Sequence, residues 1–335
     1  MAPHEIIDSI SLSVLISIIL KSSIKYATCL CIIIINILLI TSLLLVKRLR
    51  TAQSLLLINV CFACIFFSIA CILSVSLTIS ILYTKLVNPY LCQFTGSLIL
   101  SSSHGLMFSY TLVAFVRFLT IIYPFNKKIS STHYIKMYLI IKWILAFLLP
   151  TISLILPKQQ IIFQSKAQMC TISQQSPLLF IYFSTAYIIP FILISLMNLV
   201  TYLNVTRSRQ MHLLSRTKQS RLNRHKLRNV RLLRQFSFFT IIFLIGWTPF
   251  IIVEAFDKKG NIPDIFYFFT LLLPLICILI DSNAIIYWNR TIRHQIQLWW
   301  QSLIKKTEIL NYETNIPKHN HKAISINTNA DTSNV

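Results

Sequence analysis

Seven long apolar runs dominate the sequence and leave few options for its fold. The chain has 335 residues, and the runs cover residues 26–46, 54–82, 92–123, 137–156, 178–203, 235–256 and 265–288. A helix needs about 20 apolar residues to cross a bilayer, whereas a barrel strand alternates apolar and polar residues over about ten. Because each run is continuously apolar, the pattern predicts an all-α membrane protein, a bundle of seven transmembrane helices.

The lysine and arginine residues between the runs predict the orientation of the bundle. If the N-terminus lies outside, the inner segments hold 22 basic residues and the outer segments hold seven. Cytoplasmic loops carry the excess of basic residues, so the C-terminus is predicted to lie inside. We expect an extracellular segment over residues 1–25, a membrane domain over 26–300 and a disordered cytoplasmic tail over 301–335. A short amphipathic helix is expected after span seven, in a multi-pass protein of the plasma membrane.

Two segments admit more than one interpretation. Residues 6–20 are apolar but short, so they form a signal-like, an interfacial or a membrane-inserted segment, of which the interfacial one is favoured. Residues 207–234 contain ten basic residues. They form either a solvated loop that touches anionic lipid or basic helical ends of spans five and six that face a cytosolic partner.

The charge and the motif content argue against several classes of function. A net charge of +22 would suggest nucleic acid for a soluble chain, but here the basic residues lie between apolar runs. Nucleic acid is therefore not an expected partner. The sequence has no Gly-rich phosphate loop, no HExxH motif and no paired CxxC motif. We expect no enzymatic activity, no cofactor and no metal site.

Two of the eight cysteines lie on the predicted outer side of the membrane. Cys92 opens span three, and Cys170 lies in the loop before span five. The other six lie inside spans, where cysteine behaves as a small apolar residue. Since the outer side is oxidising, Cys92 and Cys170 are predicted to form a disulfide, with two free thiols as the alternative.

Short motifs occur in a fixed order along the runs. Arg117 ends span three 25 residues after Cys92, and Pro124 follows seven residues later. Span six carries Gly246-Trp247-Thr248-Pro249, and span seven ends in Asn283-Ala284-Ile285-Ile286-Tyr287. Further matching positions are Asn36, Asn59, Trp143, Pro150 and Pro190. Together these motifs resemble those of rhodopsin-like (class A) G-protein-coupled receptors over roughly residues 26–300.

The resemblance implies a receptor that passes a signal through the membrane. An extracellular ligand would bind the outer side, and a cytosolic heterotrimeric G protein would bind the inner side after span six opens. The implied coupling and activation residues are Arg117, Pro124, Asn198, Arg228, Arg231, Arg234, Asn283 and Tyr287. The implied conformational switch consists of Trp247, Pro249 and Pro190.

The polar residues within the spans are predicted to bond with one another, because lipid offers them no partner. The expected intramembrane network contains Asn36, Asn59, Asn283 and Asp281. Each such residue also has an ordinary structural explanation. A proline is a tolerated kink, a tryptophan fills the core and an asparagine joins two helices.

Several residues depart from the family pattern. Val116 replaces the acidic residue before Arg117, and Cys64 replaces the carboxylate of the usual sodium site. Ala284 replaces the proline of span seven, and Asn198 replaces a tyrosine of span five. Without its acidic neighbour Arg117 is expected to be less restrained, which predicts higher basal activity. The changes at Val116 and Asn198 also leave a receptor or scaffold that does not couple to G proteins as an alternative.

The ligand class follows from few residues. Ile99 occupies the position at which amine receptors carry an aspartate, which disfavours a biogenic amine. A hairpin about Ser165 and Lys166 would resemble the lid of peptide receptors, and Glu254 either pairs with a basic ligand group or is a solvated rim carboxylate. A peptide is therefore the first choice, and a small odorant-like ligand of a chemosensory or orphan receptor is the second. The pocket candidates are Ile99, Ser103, Trp247, Glu254 and Cys277.

A transporter or channel is the rival class of function. Such a protein would contain intramembrane charge pairs, helices broken by glycine or proline, and internal repeats. The chain has only four glycines and no visible repeat, so a receptor is favoured.

Overall fold

The structure is a computed structural model that describes residues 12–46, 52–84, 86–123, 131–155, 161–213, 220–257 and 261–315. Its elements in chain order are α1 (Leu12–Leu45), α2 (Ala52–Thr84), α3 (Pro89–Ile122), α4 (Thr132–Ile155), β1 (Ile161–Gln164), β2 (Met169–Ile172), α5 (Pro177–Phe183), a π-helical turn (Ser184–Ile188), α6 (Ile189–Leu213), α7 (Ser220–Phe256), α8 (Asp264–Trp288) and α9 (Arg290–Asn315).

Seven helical segments in these ranges are long and apolar enough to cross a membrane, which confirms the predicted number of spans. The fifth span consists of α5, the π-helical turn and α6. The 34 residues of α1 measure about 51 Å at 1.5 Å per residue, which exceeds the roughly 30 Å of a hydrocarbon core. Residues 12–20 are the first turns of α1, whereas residues 6–11 lie outside the described residues. The orientation stays a prediction.

Helix α3 is the central helix of the bundle, because it packs against α2, α4, α6 and both strands. Much of its buried surface consists of small residues, which allow neighbouring helices to approach closely. These small residues are Thr95, Gly96, Ser97, Ser101, Ser102, Ser103, Gly105 and Ser109.

Glycines mark two of the closest helix contacts. A Cβ atom added to Gly105 would lie 2.8 Å from Trp143 Cζ3, so α3 and α4 meet at that level. A Cβ atom added to Gly246 would lie 2.7 Å from Cys277 Sγ, so α7 and α8 meet there in the same way. Both distances are too short for a side chain, so these positions require glycine.

An antiparallel hairpin of β1 and β2 lies against the outer part of α3. Phe163 pairs with Cys170, and Cys170 forms the predicted disulfide with Cys92. The strands flank residues 165–168, which confirms the predicted hairpin turn. Thr78 Oγ1 donates to the Gln168 carbonyl at 2.7 Å and joins the turn to α2. The disulfide and this hydrogen bond fix the hairpin across the bundle.

A lysine of α4 lies inside the bundle. Lys142 is only 5% exposed, and its Nζ donates to Ser109 Oγ at 2.6 Å and to Asn59 Oδ1 at 3.2 Å. The same Nζ lies 3.6 Å from the ring centre of Trp143, whose Nε1 donates to Asn59 Oδ1 at 3.0 Å. This polar cluster joins α2, α3 and α4 within the membrane.

The helix predicted after span seven is present and is longer than expected. Helix α9 contains 26 residues, and apolar residues recur on one face of its first half at Ile292, Ile296 and Trp299. Residues 301–315 belong to this helix, so the disorder predicted from residue 301 is wrong for them. The remainder of the tail, residues 316–335, lies outside the described residues.

Lys142→Met is expected to stabilise the protein. The charge is costly at bilayer depth, and the remaining polar groups keep partners without it: Asn59 Nδ2 donates to Ser109 Oγ at 3.0 Å, and Ser109 Oγ donates to the Gly105 carbonyl at 2.6 Å. We expect the free energy of unfolding to rise by about 1–3 kcal/mol. Thermal denaturation in nanodiscs measures the change, with Lys136→Met at an exposed position of α4 as the control. A lower midpoint for Lys142→Met would show that the ammonium group itself holds the cluster together.

Candidate functional site

The half of the bundle that carries the hairpin encloses a cavity, which we call the outer cavity after the predicted orientation. It contains about 790 Å³ of empty space, a volume that includes the open solvent at its mouth. Its wall is mostly apolar and comes from α1, α2, α3, β2, span five, α7 and α8. Representative wall residues are Phe67, Ile99, Leu179, Tyr182, Phe250 and Leu275.

The structure places three of the five predicted pocket residues on this wall. Ile99, Ser103 and Trp247 line the outer cavity. Cys277 does not, because its side chain packs against Gly246 at the contact of α7 and α8. Glu254 is also absent from the wall and lies instead beneath the hairpin. Neither residue lines the outer cavity, and the prediction that Cys277 and Glu254 contact a ligand stays a prediction.

Glu254 is a buried carboxylate, not the solvated rim residue that the sequence left open. It is 1% exposed, and its Oε2 accepts from Gln174 Nε2 at 3.4 Å. The same Gln174 nitrogen donates to the Tyr267 hydroxyl at 3.3 Å. These bonds connect the segment after β2 to α7 and α8. Lys258, the alternative ion-pair partner, lies outside the described residues.

Asp257 organises the chain between α7 and α8. Its carboxylate accepts from the backbone N–H groups of Asn261 at 2.6 Å and Ile262 at 3.2 Å, and from the Tyr267 hydroxyl at 2.9 Å. Burial alone would raise its pKa, but these hydrogen bonds and the charge of Lys166 together lower it. Lys166 Nζ donates to the Ile262 carbonyl at 2.9 Å, so the hairpin is fastened to the same segment.

A π-helical turn shapes span five just before Pro190. Proline has no N–H to donate, and the wider turn accommodates its ring, so the irregularity predicted at Pro190 is present one turn earlier. The turn directs Tyr182 and Tyr187 towards α3. The Tyr182 hydroxyl bonds to the Ser103 hydroxyl and lies 3.5 Å from the Tyr187 hydroxyl. His104 Nε2 is 3.3 Å from Thr185 Oγ1.

Trp247 forms the floor of the outer cavity. It is 3% exposed, and its ring lies 5.0 Å from that of Tyr187 and 5.8 Å from that of Phe243, the latter nearly parallel. Phe67 packs on it from α2 at 5.5 Å. Pro249 lies inside α7, two residues beyond Trp247. The side chain predicted to be a switch is therefore held by aromatic contacts from α2, span five and α7.

Aromatic contacts continue below the floor to a buried carboxyl group. The ring of Tyr110 lies 6.1 Å from that of Phe243. Its hydroxyl donates to Asp281 Oδ2 at 3.1 Å, which joins α3 to α8. Trp247, Phe243, Tyr110 and Asp281 thus form a continuous series of contacts across the middle of the bundle.

Arg117 lines a second cavity near the inner end of the bundle, which we call the inner cavity. This cavity contains about 450 Å³ of empty space, and Tyr110, Phe239 and Ile285 also lie on its wall. Tyr110 therefore connects the series of contacts to the surroundings of Arg117. Asn198 Nδ2 donates to Thr240 Oγ1 at 3.0 Å and joins span five to α7 at the same depth.

Four of the predicted coupling residues have no described side chain. Arg228, Arg231 and Arg234 belong to α7, so the helical continuation of span six into the basic stretch is present. Pro124 lies outside the described residues. The roles of these four residues stay predictions.

The predicted network of amides is present for Asn36 and Asn59 but not for Asn283. Asn36 Nδ2 donates to Ser282 Oγ at 3.0 Å and joins α1 to α8. Asn283 is exposed, and its Nδ2 donates to the Leu279 carbonyl of the same helix at 2.7 Å. Two helical residues turn the side chain by about 200°, so the inward position of Asp281 turns Asn283 outward.

Tyr287 is 68% exposed and does not line the inner cavity, to which α8 contributes Ile285. Asp281, Ser282 and Ile285 form the inward face of α8. The implied coupling roles of Asn283 and Tyr287 stay predictions.

Several important residues were missed in the sequence. Tyr110 and Tyr182 gave no signal, because a tyrosine in an apolar run is also an ordinary core residue. Lys142 was visible as a charge inside a span and was therefore identifiable. Pro274 was identifiable too, since it lies within the seventh run, and it lies inside α8 on the wall of the outer cavity.

Comparison with known families adds one finding to this geometry. The family model described as 7 transmembrane receptor (rhodopsin family) matches residues 35–287. That range begins in α1 and ends in α8, so it includes the lining of the inner cavity and that of the outer cavity except Lys25. No curated protein matches the chain by sequence similarity.

Tyr110→Phe is expected to destabilise the bundle. The change removes the donor to Asp281 Oδ2 and leaves a buried carboxyl group without that bond, which costs about 1–3 kcal/mol. Asp281→Asn retains an acceptor for Tyr110, so its free energy of unfolding is expected to fall less than that of Tyr110→Phe. Thermal denaturation in nanodiscs compares the variants, with Tyr138→Phe as the control because Tyr138 packs through its ring on Phe115. Equal midpoints for Tyr110→Phe and Tyr138→Phe would contradict the prediction.

Asp257 is expected to make the outer side sensitive to acid. Its pKa is lowered in the folded protein, so its stabilising effect is present above the unfolded pKa of about 3.9 and is lost as the pH falls through the folded value. Midpoints of thermal denaturation between pH 7 and pH 3 measure the effect. Asp257→Asn should be less stable than the wild type at pH 7, and the difference should shrink in acid. A difference that does not depend on pH would contradict this assignment.

Proposed function

Because the chain belongs to the rhodopsin family of seven-transmembrane receptors, we propose that it binds an extracellular ligand and activates a cytosolic heterotrimeric G protein from the plasma membrane. The supporting observation is the series of contacts from Trp247 through Phe243 to Tyr110. It connects the outer cavity with the inner cavity that Arg117 lines. GTP hydrolysis takes place on the G protein, so no catalytic residue is proposed for this chain.

Activation is a shift between two packings of the helices. A ligand shifts the population only if it binds the active packing better than the resting one. In the resting packing, the Asn198–Thr240 hydrogen bond holds span five to α7. Outward movement of α7 about Pro249 would break this bond and enlarge the inner cavity around Arg117.

The basic end of α7 is the proposed contact for the G protein. Arg228, Arg231 and Arg234 recur every three residues in the part of α7 that precedes its apolar part. Positive side chains at the membrane surface also bind anionic lipid, so the same residues would keep the helix end at the inner leaflet.

A peptide is the first candidate ligand, and the hairpin supports it. The hairpin leaves a mouth above the outer cavity, and its strands expose Ile162, which could contact the remainder of a peptide outside the bundle. A small ligand is the second candidate. The apolar wall and the fastening of the hairpin by Lys166 and the disulfide favour it, because they limit the size of what enters.

G-protein dissociation sensors test the proposed function in intact cells. The wild type should activate at least one sensor, without ligand or with a member of a peptide and metabolite library. Arg117→Ala should reduce this signal at least about fivefold at equal surface expression, since Arg117 faces the space into which the G protein would insert. Arg293→Ala, at a basic residue of α9, is the comparison for loss of an inner charge. A receptor that binds library ligands but moves no sensor would be a non-coupling receptor, and the proposal would fail.

A further inference from the structure

Lys25 brings a positive charge to the wall of the outer cavity. It lies on α1, a membrane-spanning helix, and its side chain reaches the cavity between α2 and α8. Its Nζ lies 5.8 Å from the ring centre of Phe268 on α8, close enough for a cation–π contact. Lys25 is therefore directed across the bundle interior, not towards the aqueous loop.

The other groups on the wall do not neutralise this charge. Within the described part of the chain, no Asp or Glu lines the outer cavity and no carboxylate forms an ion pair with Lys25. The polar wall residues are neutral: Ser74, Ser103, Gln168, Thr171, Tyr182 and Tyr187. An ammonium group beside apolar side chains is costly unless an anion accompanies it. The cavity therefore provides an apolar surface with one cationic position.

We propose that the outer cavity binds an apolar molecule that carries a carboxylate, with Lys25 as its counter-ion. The inference rests on the proposed function only in using the same cavity. A single ammonium balances a monoanion, whereas a doubly charged phosphate would bring an uncompensated charge into an apolar site. A fatty acid has this chemistry, and so does the free C-terminus of a peptide with apolar last residues.

Binding is tested with the full-length receptor in phosphatidylcholine nanodiscs, whose lipids carry no net charge. The probes are decanoic acid, decanol and decylamine, and the dipeptide acetyl-Leu-Phe as the free acid and as the amide. The midpoint of thermal denaturation is measured at increasing concentrations of each probe. We expect saturable stabilisation by at least one of the two acids, at concentrations at least tenfold lower than for its uncharged counterpart. Stabilisation by decanoic acid would identify the ligand as a fatty acid, and stabilisation by acetyl-Leu-Phe would identify it as a peptide C-terminus.

Variants of Lys25 separate the charge from the apolar surface. Lys25→Met should weaken binding of the acid at least tenfold, Lys25→Arg should retain it, and Lys25→Glu should shift the preference to decylamine. Lys21→Met is the matched control, because Lys21 lies one helical turn earlier on α1 and does not line the cavity. An acid that partitions into the lipid would stabilise every variant equally, which would overturn the proposal.

The binding assay contains no G protein, so the two proposals can fail separately. If an acid binds through Lys25 but activates no sensor in cells, the ligand class stands and the coupling proposal fails. If sensors respond to other ligands while neither acid binds better than its uncharged counterpart, the receptor function stands and the ligand class fails.

Discussion

A polar side chain inside a bilayer has no water to bond with, so it must find its partner within the bundle. This constraint determines which helices of the structure are joined at depth. Asn36 bonds to Ser282 and joins α1 to α8. Tyr110 bonds to Asp281 and joins α3 to α8. The cluster around Lys142 joins α2, α3 and α4. Helix α3 takes part in two of these three connections, which agrees with its central place and its small residues.

The same constraint explains how much the sequence could predict. The number of spans follows from the length of the apolar runs and the Cys92–Cys170 disulfide from which side is oxidising, and both were predicted. The hairpin was predicted from the resemblance of its loop to the lid of peptide receptors. The inward face of α8 was not, because the order of letters in a motif does not fix the rotation of a helix. Asp281 has a donor in Tyr110, and this pairing turns Asn283 and Tyr287 outward. Which side chains of a helix point into the bundle depends on their partners in another helix, and the sequence of one apolar run does not reveal those partners.

Trp247 lies between the outer cavity and the inner cavity of the bundle. Gly246 brings α7 into close contact with Cys277 of α8, and Pro249 weakens the backbone bonding of α7 just above. Helix α7 is therefore packed tightly against α8 at Gly246 and can bend near Pro249. The aromatic rings around Trp247 lie at this level, next to the proline about which α7 is proposed to move.

The charges inside the bundle distinguish this chain from the family pattern it otherwise resembles. The sodium site of that pattern requires a carboxylate at the position of Cys64, a buried residue of α2. The same helix carries Asn59, one turn and a half away, and Asn59 Oδ1 accepts from the Lys142 ammonium. Lys142 thus adds a basic side chain beside the helix on which this carboxylate is absent. Its hydrogen bonds to Asn59 and Ser109 join α2, α3 and α4.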